Sequence, residues 1–108
     1  MNRTLPEKAP KHLRPATKRW WRDVCERFVL DAHHVRLLTA ACEAWDRAQE
    51  ARETIAKEGA YYVNRFSEPR AHAAVGVERD AKATFARLVH QLNLDTPPPG
   101  APGRPSGR

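Results

Sequence analysis

The histidines and cysteines are the residues whose side chains could bind a metal or act as nucleophiles. The sequence has five histidines and two cysteines, but it contains no CxxC or HExxH motif. His33 and His34 are adjacent, and we expect their side chains to diverge on a helix, so that they cannot share one ion. Cys25 beside either histidine would lack a third group to orient the pair. The sequence therefore predicts no metal site, no cofactor and no nucleophilic residue.

The carboxylates and glycines also give no sign of an active site. Glu50 with Glu53, and Glu78 with Asp80, cannot be placed as a spaced pair in an apolar pocket. Carboxylates that alternate with arginines and lysines, as they do here, are typical of the solvated face of a helix. No GxxxxGK[ST] motif is present to bind a nucleotide phosphate. We predict that the chain is not an enzyme.

The basic residues carry the clearest chemical signal. The formal net charge is +6, and the excess is concentrated near the amino terminus, where Glu7 is the only acidic residue before Asp23. A basic segment on a nearly neutral body is typical of a protein that binds a polyanion. A solubilising leader would have the same composition. On charge alone, the candidate DNA-binding residues are Lys11, Arg14, Lys18, Arg19 and Arg22.

A membrane partner is not expected. No apolar stretch is long enough to span a bilayer, and no signal peptide is recognisable. The basic segment has no amphipathic apolar face before Trp20 that could lie on a membrane surface. Cys25 and Cys42 both fall on the apolar faces of predicted helices, which favours buried reduced thiols and a cytosolic compartment.

Residues 31–59 form the element that must position these groups. Their hydrophobic spacing alternates three and four, which predicts one long helix of about 40 Å, with Asp31 as its N-cap and Gly59 closing it in a left-handed conformation. We expect such a helix to be too long for its neighbours to cover, so that part of it contacts another subunit. The predicted oligomer interface is Val35, Leu38, Trp45, Arg52 and Ile55.

Shorter elements are predicted on either side of this helix. A first helix begins after Pro15, with Thr17 as its N-cap, and its adjacent Trp20 and Trp21 cannot both point inward. Tyr61 opens a short β-hairpin or extended arm that must lean on a helix or on another subunit. A last helix runs from about residue 73 to residue 92, and Gly76 weakens its first turn.

The predicted fold is therefore mainly α. It has three helices, one of them long and central, with a short β-hairpin or extended arm between the second and third. The predicted organisation is a flexible basic arm (1–15), a helical domain (16–95) and a disordered Pro/Gly-rich tail (96–108). The first two helices are joined by so short a link that a helix-turn-helix is an alternative to simple three-helix packing.

The order of these features resembles the phage terminase small subunit family, in its compact helical form. The resemblance covers roughly residues 15–95 and includes the runs AACEAWDRAQEA, KEG and RAHAAVGVERDAKATFARLVHQLNLD. Its most specific positions are Arg70, His72, Ala74, Val75, Glu78, Arg79 and Ala81. The family usually has a proline opening the last helix, whereas this chain has Ala73, which leaves the start of that helix open.

The resemblance implies a non-catalytic subunit of a genome-packaging complex in the host cytoplasm. Such proteins assemble into homo-oligomeric rings, bind double-stranded viral DNA and recruit or regulate the large terminase subunit, which carries the ATPase and nuclease. DNA contacts vary within the family, so no base-reading residue is carried over. The alternatives are a dimeric helix-turn-helix transcription regulator and a helical adaptor with no nucleic-acid role. The tail would be either a tether to the large subunit or a simple disordered end.

Overall fold

The chain folds into three helices with a β-hairpin between the second and the third. The computed structural model describes residues 8–94. In chain order the elements are α1 (Pro15–Arg27), α2 (Ala32–Glu58), β1 (Tyr61–Val63), β2 (Pro69–Ala71) and α3 (Ala73–Leu92). The predicted fold class is confirmed, while the predicted tail (96–108) lies outside the described residues. None of the helices described is both long and apolar enough to cross a bilayer.

Helix α1 begins at a proline. Arg14 is the extended N-cap residue and Pro15 occupies the first helical position, where its fixed φ suits a helix and its missing N–H is not needed. Thr17 is therefore inside the first turn, and the prediction that it is the N-cap was wrong. The proline fixes the start three residues earlier and leaves the Thr17 hydroxyl free to bond α2.

The segment before α1 differs from the predicted flexible arm. Ala9 and Leu13 are buried in the hydrophobic core, and the backbone N–H of Leu13 donates to the carbonyl of Pro10 at 3.4 Å. Residues 10–13 thus form a compact turn. Ala9 and Leu13 therefore pack with the helical domain, while residues 1–7 of the predicted arm (1–15) lie outside the described residues.

Helix α2 ends at a glycine with an unusual backbone conformation. Asp31 takes the N-cap position as predicted, although its carboxylate bonds no backbone amide. At the other end Gly59 has φ 91° and ψ 155°, and its N–H donates to the Ile55 carbonyl at 2.7 Å. The positive φ agrees with the prediction, but this ψ is extended rather than left-handed helical. The chain consequently leaves α2 directly into β1.

A histidine links the hairpin, α2 and the start of α3. His72 is the N-cap of α3, and its Nδ1 accepts from the backbone N–H of Ala74 at 3.0 Å. Its Nε2 then donates to Glu58 Oε1 at 2.7 Å, and its backbone N–H donates to the Ala60 carbonyl at 2.7 Å. The expected proline would have fixed the first turn of this helix. In this chain the His72 side chain caps that turn instead, and α3 begins at Ala73.

Helix α3 returns antiparallel along α2 and covers most of it. His72 lies beside Glu58 at one end, while Leu92 joins the core with Leu38 and Cys42 at the other. The buried contact surface of α2 includes a row of small residues, which lets the two helices approach closely: Ala41, Ala44, Ala48 and Ala51. Helix α3 thus covers much of α2, but Trp45 stays 39% exposed, so the expectation that part of α2 contacts another subunit stays a prediction.

The hydrophobic core lies where α1, the amino-terminal half of α2 and the end of α3 meet. Its largest fully buried side chains are Trp21, Leu38 and Cys42. Trp21 points inward while Trp20 lies at the edge against Phe85, as expected for adjacent tryptophans. Both cysteines are buried thiols, and burial raises the pKa of Cys42 to about 12. The core fixes α1 on α2 and so orients its outer face.

Candidate nucleic-acid interface

One buried carboxylate fixes the start of α1 to the middle of α2. Asp46 is 9% exposed. One of its oxygens accepts from the Thr17 hydroxyl at 2.6 Å, and the other accepts from the backbone N–H of Arg14 at 2.9 Å. Because both donors lie at the first turn of α1, these bonds determine where the helix sits and which way its sides face.

The two sides of α1 differ in burial and charge. Thr17, Trp21, Val24 and Cys25 are buried, and the Trp21 indole N–H donates to the Thr39 hydroxyl at 3.1 Å. On the outer side Arg19 and Arg22 are exposed and Lys18 is half-buried. Residues three and four apart are neighbours on a helix surface. These three cations therefore form one cluster, the α1 basic face (Lys18, Arg19 and Arg22).

The other two predicted DNA-binding residues precede α1 and differ from each other. Lys11 is exposed, whereas Arg14 makes two hydrogen bonds to Glu53, with its Nη1 2.7 Å from Oε2 and its Nη2 3.0 Å from Oε1. The hydrogen bond between the two side chains lowers the pKa of Glu53 and raises the pKa of Arg14. Arg14 thus links the start of α1 to α2. Its guanidinium is already paired with a carboxylate, whereas within residues 8–94 the Lys11 ammonium is not.

Ion pairing divides the cations into two groups. Among the carboxylates of residues 8–94, only Glu26 and Glu50 have no salt bridge or side-chain hydrogen bond of their own. Many cations in the same range have no carboxylate partner, and five of them precede residue 23. These five are Lys8, Lys11, Lys18, Arg19 and Arg22. Six more unpaired cations are spread over residues 36–87, but the formal charges of residues 31–94 balance, so the net positive charge of the described residues lies on and just before α1.

The residues predicted to contact another subunit do not form one continuous surface. Leu38 is 0% exposed, packed in the core with Trp21 and Cys42. A fully buried side chain offers no surface to a second chain, so Leu38 is a core residue. Val35 packs partly against the same core, Ile55 is half-buried, and Arg52 is exposed near the other end of α2.

An aromatic cleft is the feature that sequence reasoning missed. Trp45 is 39% exposed, and its ring centroid lies 5.0 Å from that of Phe85, which is 5.8 Å from that of Trp20. These rings line an apolar cleft of about 280 Å³ together with Ala16 and Thr17. Trp45 is among the residues predicted to contact another subunit, but its pairing with Phe85 arises only from the antiparallel return of α3.

The two adjacent histidines are closer than predicted. The ring centroids of His33 and His34 are 4.0 Å apart, so the expectation that their side chains diverge was wrong. Together with Asp31 they place three potential ligand atoms within 4.8 Å of one another. Asp31 Oδ2 is 3.9 Å from His34 Nδ1 and forms an ion pair with the imidazole when it is protonated. Asp31 and His33 are exposed at the first turn of α2.

Comparison with known proteins places the chain in one family. The family model described as "Phage terminase, small subunit" matches residues 17–97. The matched range begins in the first turn of α1 and runs past the end of α3, so it includes the hairpin and the whole α1 basic face. No curated protein and no solved structure matches the chain.

Proposed function

The chain belongs to the phage terminase small subunit family, and from this membership we propose that it is a non-catalytic DNA-packaging subunit. In the proposed function it assembles as a homo-oligomer in the host cytoplasm and binds double-stranded viral DNA. It then recruits or regulates the large terminase subunit, which supplies ATPase and nuclease activity. Membership of the family carries the role in phage DNA packaging; the DNA contact and the assembly are argued from this chain.

The observation that carries the DNA contact is the cluster of unpaired cations on and before α1. Lys18, Arg19 and Arg22 face away from the core and have no carboxylate partner, and Lys11 is exposed just before the helix. Unpaired surface cations can neutralise backbone phosphates and release their counterions, which is the main source of DNA affinity. Cations already bound to carboxylates, such as Arg14 and Arg27, would have to break those pairs first.

A helix-turn-helix regulator remains the alternative because α1 and α2 are joined by only residues 28–31. In that motif the second helix enters the major groove. Here α2 is packed by α1 on one side and by α3 on another, and its buried residues extend from Leu38 to Ala51. This packing leaves part of α2 open, so it is the family match over residues 17–97 that favours the packaging subunit over the regulator.

Native mass spectrometry of the full chain, combined with DNA binding, tests the proposal. We expect an assembly larger than a dimer that binds duplex DNA without requiring a palindromic site. If about six phosphates are neutralised, the affinity should fall by ~10³ or more between 50 and 200 mM salt. A dimer that requires a palindromic site would support the regulator instead. An absence of DNA binding at low salt would favour an adaptor with no nucleic-acid role.

A further inference from the structure

The β-hairpin has one face that is entirely apolar. Its antiparallel register pairs Tyr61 with Ala71, Tyr62 with Arg70, and Val63 with Pro69. Because side chains alternate along a strand and cross-strand partners share a face, Tyr62 and Arg70 lie on one face. The other face, called here the hairpin apolar face, consists of Tyr61, Val63, Pro69 and Ala71.

None of the three described helices covers this apolar face. All six strand residues are exposed, with Tyr61 at 70% and Val63 at 67%. A two-stranded hairpin is marginally stable in water unless it packs against something else. Its base is held through the bonds of His72, but its apolar face has no cover within residues 8–94.

The turn of the hairpin is nevertheless well defined. Asn64 Oδ1 accepts from the backbone N–H groups of Phe66 and Glu68 at 2.8 and 3.0 Å. Glu68 Oε1 in turn accepts from Asn64 Nδ2 and from Arg70 Nη2, both at 3.0 Å. These bonds hold the hairpin in one shape, and a preorganised surface loses less entropy when it binds.

The aromatic cleft is a second apolar surface on the same chain. It is lined by Trp20, Trp45 and Phe85, with Ala16 and Thr17 at its side, and Trp45 is among the exposed large apolar side chains. Trp45 precedes Glu58 by thirteen residues on α2, which is about 20 Å along a helix. The protruding apolar face and the apolar cleft thus lie in different parts of the molecule.

We propose that the hairpin apolar face of one subunit packs into the aromatic cleft of the next copy of this chain. The inference rests on the proposed homo-oligomer and assigns its contact surfaces. An exposed apolar hairpin face and a recessed apolar cleft match in chemistry, and both are left open by the described residues 8–94. Because the two surfaces differ, each copy can join two neighbours, and such a head-to-tail contact closes into a ring when the rotation between copies allows it.

Pairwise cross-linking tests this contact. Val63→Cys places a thiol on the hairpin apolar face and Ala16→Cys places one beside the cleft; both positions are exposed. Cys25 and Cys42 are buried, and the raised pKa of Cys42 keeps it protonated near neutral pH. With a short bis-maleimide reagent, the double variant should give a ladder of covalent multimers, whereas each single variant should stay at the mass of one chain, 12.3 kDa.

Matched variants and the state of the unmodified protein separate the possible outcomes. Tyr62→Cys with Ala16→Cys, which uses the opposite hairpin face, should cross-link much less than the double variant. Covalent dimers from Val63→Cys alone would show that hairpins pair with each other and would overturn the inference. If the double variant assembled normally but gave no covalent ladder, the inference would also be overturned. The proposed packaging role would not be affected by that result. An unmodified chain that is monomeric would overturn the proposed assembly as well.

An interface variant gives an independent readout. Val63→Asp puts a charge on the hairpin apolar face, and we expect native mass spectrometry to show a shift from the assembly to the single chain. Tyr62→Asp changes the other face by the same charge and should leave the assembly intact. Loss of assembly in both variants, or in neither, would contradict the inference. If duplex DNA restored the Val63→Asp assembly to the unmodified mass, DNA rather than the hairpin would be holding the copies together.

Discussion

Asp46 is the residue on which the position of the α1 basic face most depends. It lies in the middle of α2, is nearly buried, and accepts hydrogen bonds from Thr17 and from the backbone of Arg14. A buried donor that loses its acceptor costs more free energy than the net gain from the original bond. The carboxylate therefore determines the register of α1 on α2 as well as adding stability.

Replacing Asp46 by Ala tests this assignment. The change leaves the Thr17 hydroxyl and the Arg14 amide without their acceptor, so we expect the free energy of unfolding to fall by about 2–3 kcal/mol. Urea denaturation at one fixed protomer concentration would measure it, because assembly changes apparent stability. Asp23→Ala is the matched control, since Asp23 makes only an exposed i,i+4 pair with Arg27 and should cost no more than ~0.5 kcal/mol. Equal effects would contradict the role of Asp46.

The pair between Arg14 and Glu53 predicts a dependence of stability on pH. Arg14 lowers the pKa of Glu53 in the folded chain, so the folded state binds fewer protons than the unfolded state around that pKa. The stabilisation is therefore fully present above the pKa of an unfolded glutamate, ~4.3, and is lost as the pH falls through the lower folded value.

Arg14→Gln should accordingly lower the urea midpoint at pH 7, and this difference from the unmodified protein should vanish once the pH is below the folded pKa of Glu53. Arg19→Gln serves as the control, because Arg19 has no carboxylate partner among the described residues and should leave the midpoint unchanged at both pH values. A midpoint difference for Arg14→Gln that persists unchanged in acid would mean that the pair is not its source.

At the scale of elements, the two glycines of the helical region have opposite roles. Gly59 ends α2 at φ 91° and ψ 155°, a region that is essentially restricted to glycine. Gly76 lies inside α3, and a Cβ there would meet Arg79 Nη2 at 3.5 Å, an ordinary contact with a flexible side chain. One glycine is required by the backbone, while the other only weakens a helix.

Alanine at each position should therefore change stability in opposite directions. Gly59→Ala should lower the free energy of unfolding by about 1–3 kcal/mol through backbone strain, since a Cβ there has room and meets only the Tyr61 carbonyl oxygen at 3.6 Å. Gly76→Ala should raise it by about 0.5–1 kcal/mol. Thermal or urea unfolding of both variants would measure these changes, and the same sign for both would contradict the assignment.

The elements could largely be predicted from the sequence because their signals are local. Hydrophobic periodicity gave the long α2 and the last helix, and Tyr61 with Tyr62 gave the first strand. The errors arose where a tertiary contact outweighs a local pattern. Thr17 looks like an N-cap but bonds Asp46, 29 residues away, and Leu13 packs in the core although prolines flank it.

The burial of the α2 alanines could not be predicted for a related reason. Alanine is only weakly hydrophobic, so it adds little to a hydrophobic pattern in the sequence. Four alanines of α2 are nevertheless buried because α3 lies close to them: Ala41, Ala44, Ala48 and Ala51. Leu38 was likewise assigned to a subunit interface when the partners that bury it could not be identified from spacing alone. Burial by an antiparallel partner depends on the turn between the helices, which local periodicity does not reveal.

At the scale of the whole molecule, three surfaces of the described residues remain for partners: the α1 basic face, the aromatic cleft and the hairpin apolar face. The α1 basic face could be predicted from charge. That Arg14 has a carboxylate partner within residues 8–94 and the cations of this face have none could be seen only once the position of Glu53 was known. The aromatic cleft depends on residues from three helices and could not be predicted from spacing. In the proposed assembly, the basic face binds DNA while the hairpin apolar face and the aromatic cleft join the copies, so a ring would repeat the basic face at every subunit.

The central claim is that the α1 basic face binds DNA, and the salt dependence of binding by two charge-matched variants tests it most directly. The first variant combines Lys18→Gln, Arg19→Gln and Arg22→Gln. The control combines Arg36→Gln, Lys57→Gln and Arg87→Gln, which are exposed cations elsewhere, also without carboxylate partners. Both variants lower the net charge equally.

The measurement is the slope of the logarithm of DNA affinity against the logarithm of salt concentration. Three lost phosphate contacts should reduce the slope of the first variant by about 2.7, and weaken binding on the order of 10²-fold at 0.1 M salt. The control should stay close to the unmodified protein. An unchanged slope in the first variant, or equal reductions in both, would contradict the assignment of DNA binding to this face.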